Sequence, residues 1–364
     1  MEVLATFALL SVVASGIWLW SIALRRLAMQ QPVLPLEPRS SVPWGLLDVL
    51  LPIVLVVVVQ LAIGVVIFAT APSWLSAETL ATTRGQALSV ALSSGSTLVA
   101  FVVSIIVTWL RAGATAAELG YQWRTVGEDI LLGVAAFCML APIVFLIQFL
   151  LVSFWEPTQH PLILMLKDHP EPSLFLVASF AAVAVAPVVE EYFFRGLMQG
   201  WLESLTRRHH VDELLLGVQR AAPGERGVVE RDEQPGDTTA ADAEPLLAEL
   251  AAPSTNPYVT PNPADSALAD ADVEADLEDI AHRLRPAGPS SVPVWPMFVS
   301  AAIFALAHFS HGPDWIPLFV LALGLGFLFQ RTHRLLPCMT VHFLLNLASM
   351  GVLYIEVFLK PAAS

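Results

Sequence analysis

The chain has 364 residues, of which 56% are hydrophobic and 14% charged, and its mean hydropathy is +0.68. That is too apolar for a water-soluble domain of this length. The formal net charge of -14 points to no nucleic-acid partner, because most of the acid lies in one stretch, residues 221–293. Cys138 and Cys338 both sit in apolar runs, so neither a disulfide framework nor a cysteine metal cluster is indicated.

Apolar runs of about 20 residues, the length that crosses a bilayer, occur at Val3–Leu24, Leu46–Ala71, Ala87–Leu110 and Ile130–Trp155. The first is followed, not preceded, by Arg25 and Arg26, which reads as a retained span and not a cleaved signal peptide. Between the third and fourth, Ala117–Trp123 has the polar and aromatic character of an interfacial surface helix. A fifth span begins at Leu174 and continues towards Trp201. Residues 221–293 are rich in Pro, Ala, Asp and Glu and are expected to be mostly disordered, since they cannot bury enough apolar area to offset their ordering entropy.

Three further apolar runs follow, Val294–His308, Trp315–Phe329 and Leu335–Phe358. A helix from Val294 to His308 rises only about 21 Å at 1.5 Å per residue, short of the roughly 30 Å hydrocarbon core. The loop Ser310–Asp314 is therefore expected at membrane depth, where irregular backbone must line a cavity or be covered by protein. The expected fold is an all-α polytopic bundle of about eight spans. Its parts are an N-terminal scaffold (1–155), a segment carrying a charged motif (156–220), the acidic insert (221–293) and a C-terminal group of helices (294–364). The arginine bias puts Arg25, Arg26, Arg39, Arg111, Arg124, Arg195, Arg207, Arg208, Arg331 and Arg334 on one side, read as cytoplasmic, with both termini outside. A multi-pass protein of the plasma membrane is expected.

The charged motif is Ala186-Pro187-Val188-Val189-Glu190-Glu191-Tyr192-Phe193-Phe194-Arg195-Gly196. Ionisable groups inside an apolar run are costly and mark function by default. Glu191 and Arg195, four apart on one helical face, can pair, while Glu190 points elsewhere. Pro187 offers no N–H to the carbonyl of Val183, which kinks the helix one turn ahead of Glu190. Phe304 with His308, and His342 with Asn346, repeat the same spacing in later apolar runs. Ser93-Ser94-Gly95-Ser96 and the Gly324/Gly326 pair read as close helix packing. His160, His169, His311 and His333 read as interfacial loop residues.

An acid, two imidazoles and an amide on three helices make a peptide-hydrolysis set. Glu190, helped by His308, would deprotonate a water, His342 and Asn346 would donate to the oxyanion, and Arg195 would hold Glu191 and so the helix carrying the base. The same Glu190, His308 and His342 could instead ligate Zn2+ with an open position for water. These residue types do not choose between the two. A non-catalytic immunity or scaffold protein that binds a peptide partner is the competing class. A transporter is disfavoured because no inverted repeat relates the two halves.

Glu190-Glu191-x-x-x-Arg195, Phe304-x-x-x-His308 and His342-x-x-x-Asn346, in this order, resemble the three motifs of the CAAX protease and bacteriocin-processing (CPBP, or Abi) family of intramembrane proteases. The resemblance runs from about Leu174 to Asn346 and includes the segment Gln330–Cys338. It implies an intramembrane endopeptidase, glutamate-dependent or metallo, acting on a membrane-associated protein or peptide. It further implies Glu190 as base, His308 as its partner on the water, and His342 and Asn346 at the oxyanion. The acidic insert between the first and second motifs departs from the family pattern.

Overall fold

The computed structural model describes residues 2–39, 41–154, 161–205, 208, 210–218 and 293–359, and their regular structure is helical. The acidic insert, apart from Pro293, and His160 lie outside the described residues. The long helices are α1 (Glu2–Ala28), α2 (Leu46–Thr70), α3 (Thr83–Ala112) and α4 (Val126–Phe154). After the short α5 (Pro161–Asp168) come α6 (Pro172–Ser204), α7 (Trp295–Ala307), α8 (Trp315–Thr332) and α9 (Leu335–Tyr354). Seven helices among the described residues are long and apolar enough to cross a membrane, and the eighth apolar run forms only the 13-residue α7. Helix α7 ends where His308 leaves helical geometry (φ -102°, ψ 3°), about 20 Å from its start.

Burial in these helices is inverted relative to a soluble protein. Helix α2 has a mean hydropathy of 3.0 over its most apolar window, yet only 6% of that window is buried. Leu61, Val65, Val66 and Phe68 point outward. Exposed apolar side chains on a fully hydrogen-bonded helix suit a lipid solvent, so the chain is an integral, multi-pass membrane protein.

Arginines tie one end of the bundle together. Arg334 meets Asp129 at 2.5 Å and Glu37 at 2.6 Å. Arg39 donates to the carbonyl of Glu118 at 2.5 Å and lies 3.8 Å from Glu203. Arg208 donates to the carbonyls of Val42 and Trp44, and Arg111 pairs with Asp48. The α1–α2 link, the α3–α4 link, the end of α6 and the α8–α9 turn therefore meet, the same segments that the arginine distribution groups. At the other end Lys167 of α5 pairs with Glu356 beyond α9 at 2.6 Å.

Three sequence readings need correction. Arg195 does not belong with the loop arginines, because its side chain is enclosed within the bundle. Residues 117–123 do not form a surface helix. Glu118 accepts from the N–H and hydroxyl of Thr115 (2.9 and 3.0 Å), Gly120 takes φ +92°, and Leu119 is buried, so the segment turns and docks on the core. His333 is not interfacial either: it occupies a left-handed position (φ 51°) after α8, is buried, and stands 3.8 Å from Glu203.

Candidate active site

Helix α6 is not regular. It carries a π segment at Ala181–Val185 and a second at Tyr192–Gln199, on either side of the α-helical Ala186–Glu191. The first follows from Pro187. In the i→i+5 register of a π turn, the residue that should donate to Ala182 is Pro187, which has no N–H. The orphaned carbonyl is thus that of Ala182, one residue earlier than the Val183 expected for a plain α-helix. Asn346 of α9 satisfies it, its side-chain amide donating at 2.7 Å. Because a carbonyl can only accept, the amide nitrogen must face α6, and one N–H of Asn346 remains uncommitted by this bond.

The two acidic neighbours of the motif part company as helical geometry requires. Glu190 faces a cavity of about 420 Å³ with its side chain 27% exposed. Glu191 points inward and is fully buried, with Arg195 Nε 3.2 Å from one carboxylate oxygen. The Arg195 guanidinium is held by the carbonyl of Ala322 at 3.3 Å and lies 4.9 Å from the Phe304 ring centre. An ion pair in such surroundings persists because each charge has its partner and further contacts; removing one partner would strand the other.

The second oxygen of Glu191 meets His342 Nδ1 at 2.8 Å. A carboxylate paired with an arginine accepts, so His342 carries its hydrogen on Nδ1 and turns Nε2 towards the cavity. There Nε2 lies 3.8 Å from Glu190. The chain Arg195–Glu191–His342–Glu190 thus links both acids of the motif through one imidazole.

His308 lines the same cavity as Glu190, His342 and Asn346. Its Nδ1 is 2.8 Å from the carbonyl of Phe304, one turn earlier, which again assigns the hydrogen to Nδ1. Phe304 is fully buried, packing edge-on against Phe194 and His342 and tilted over His308. Helical arithmetic puts His342 about 10 Å and His308 about 20 Å from the arginine-rich ends of their helices, inside a hydrocarbon core of roughly 30 Å.

The six residues singled out by sequence therefore fall into one assembly: Glu190, His308, His342 and Asn346 around the cavity, and Glu191 with Arg195 behind His342. Among the described residues no group of three or more His, Cys, Asp or Glu side chains is already gathered around a metal-sized site. Residues that sequence reasoning missed include Gln148, whose amide reaches the cavity-lining Asp314 at 2.5 Å. The available signal was that Gln148 is the only amide in the apolar run of α4. Ser104, which meets the buried Tyr192 hydroxyl at 3.1 Å, belongs to a stripe of small residues on α3 at four-residue spacing: Ser96, Ala100, Ser104, Thr108 and Ala112.

The family model for the type II CAAX prenyl endopeptidase Rce1-like proteins matches residues 280–348. Over that stretch the chain is similar to this CAAX-protease family. The match takes in His308, His342 and Asn346, whereas Glu190, Glu191 and Arg195 precede it. No curated protein and no solved structure gave a match. The likeness to a protease family thus falls on the C-terminal part of a bundle whose long helices are apolar enough to cross a membrane.

Proposed function

We propose that this chain is an intramembrane endopeptidase in which Glu190 activates water for hydrolysis of a peptide bond in a membrane-associated protein or peptide. The observation that carries the reading is His342, held at Nδ1 by a buried carboxylate and presented at Nε2 to Glu190, in a cavity that His308 and Asn346 also line. A water between Glu190 and His308 Nε2 loses a proton to Glu190 as its oxygen attacks the scissile carbonyl carbon. The tetrahedral oxyanion receives hydrogen bonds from the uncommitted N–H of Asn346 and from His342 Nε2 when that imidazole is protonated, with Glu191 supplying the counter-charge. Collapse breaks the C–N bond, and Glu190 returns its proton to the leaving amine.

A cavity lined by oriented polar groups within an apolar bundle serves this chemistry, because oriented donors act more strongly at low dielectric than in water. Plasma-membrane residence and access from the arginine-rich side belong to the same proposal. The test is substitution in detergent-purified protein. Glu190→Ala and His308→Ala are each expected to lower peptide cleavage by about 100-fold or more, the scale of lost acid–base catalysis, while the thermal melt stays close to that of the parent. Cleavage at the parental rate in both variants would remove the reading.

A further inference from the structure

Glu190 is not the only carboxylate on the cavity. Asp314, at the turn between α7 and α8, also lines it, and the described residues lining the cavity include neither lysine nor arginine. The proposed hydrolysis gives Asp314 no task, yet its position is controlled. Gln148 of α4 donates to Oδ1 at 2.5 Å, and the Asp314 backbone carbonyl accepts from the N–H of Leu318 at 3.2 Å in the first turn of α8. Among the described residues no cation pairs with Asp314, and Oδ2 accepts no hydrogen bond. A half-buried carboxylate fixed by an amide, without a counter-ion and inside an apolar bundle, is an arrangement completed by an incoming positive charge.

We propose that Asp314 is a specificity-determining residue that binds a cationic group of the substrate, a lysine or arginine side chain within a residue or two of the scissile bond. The inference rests on reading the cavity as the protease site. Its chemistry is a charge-assisted hydrogen bond from an ammonium or guanidinium to Oδ2, with Oδ1 kept on Gln148 so that the carboxylate does not rotate. Neutral residues at that substrate position leave the carboxylate uncompensated, and acidic residues repel it.

The experiment uses the full chain in detergent and a randomised decapeptide library, N-acetylated so that side chains are the only cations, with norleucine as the neutral comparator for lysine. Cleavage products are read by mass spectrometry. The parent is expected to enrich lysine or arginine over norleucine at one position by about tenfold or more, the scale of a desolvated charge pair. Asp314→Asn brings that ratio close to one, and Gln148→Leu lowers it part of the way. An unacetylated library distinguishes the side chain from a terminal amine: enrichment that appears only there overturns the side-chain assignment. A cleaved library without enrichment, or enrichment that survives Asp314→Asn, overturns the proposal.

Failure of the protease reading itself is separated by a binding arm. The same acetylated library is captured on Glu190→Gln protein and on the Glu190→Gln/Asp314→Asn pair. Lysine or arginine enrichment on the first and not the second supports the cation site even where no peptide is cut. Equal capture by both overturns it.

Discussion

Replacing Glu191 by Gln isolates the link between stability and catalysis in this bundle. The substitution keeps the shape but removes the negative charge that faces Arg195 at 3.2 Å and His342 at 2.8 Å. Arg195 then stays buried with only the carbonyl of Ala322 and the ring faces of Phe304 and Phe194 as partners. Breaking a buried pair costs about 3–5 kcal/mol, and the ring contacts, present before and after the change, offset none of it. The expected net loss is about 3–5 kcal/mol, a fall in the thermal midpoint of roughly 4–8 °C for a chain of this length. Activity falls as well, by about 100-fold or more, because a neutral amide no longer supports the protonated His342. The double variant Glu191→Leu/Arg195→Met separates the two effects: with no charge left buried, the midpoint returns towards the parental value while cleavage stays low. Melting in detergent and a peptide-cleavage assay on the same preparations read both quantities. A Glu191→Gln protein that melts and cleaves like the parent, or a double variant that regains activity, would refute the assignment of Glu191 as the residue holding His342.

Two further expectations follow from contacts around the same helices. Asn346→Leu strands the carbonyl of Ala182 at a cost of about 1–3 kcal/mol, and adding Pro187→Ala, which restores an N–H to α6, recovers stability in thermal melts but not cleavage. Gly133 lies on α4 where it touches α9: a Cβ there would meet Thr340 Cβ at 2.5 Å and the backbone oxygen of Pro337 at 2.8 Å. Gly133→Ala is therefore expected to destabilise by about 1–3 kcal/mol and to lower cleavage by displacing the helix that carries His342. The control is Gly95→Ala, where nothing lies within 4 Å of the added carbon; it should leave the melt unchanged or raise it slightly, as a helical Gly→Ala change does by about 0.5–1 kcal/mol.

Helix geometry made part of this site readable from one dimension. The Glu191–Arg195 pair and the Phe304–His308 contact join residues four apart, and a 3.6-residue repeat is enough to put each pair on one face. The shortness of α7 was legible too, since its length follows from counting residues between polar breaks. Hydropathy alone marked the crossing helices because lipid tolerates only segments that satisfy their own backbone.

The other contacts that build the site join residues far apart in the chain: 151 positions separate Glu191 from His342, 164 separate Ala182 from Asn346 and 166 separate Gln148 from Asp314. Each depends on the rotation and height of one helix against another, which side-chain packing decides and periodicity does not contain. For that reason the sequence marked His342 and Asn346 as oxyanion donors without revealing that each is anchored from behind, one by Glu191 and the other by a carbonyl that Pro187 leaves unpaired. By itself the sequence determined which groups are polar inside an apolar protein and on which helical faces they stand. Only the folded bundle decided which of them meet, because a helix sets its own faces locally whereas its neighbours are chosen by the packing of the whole.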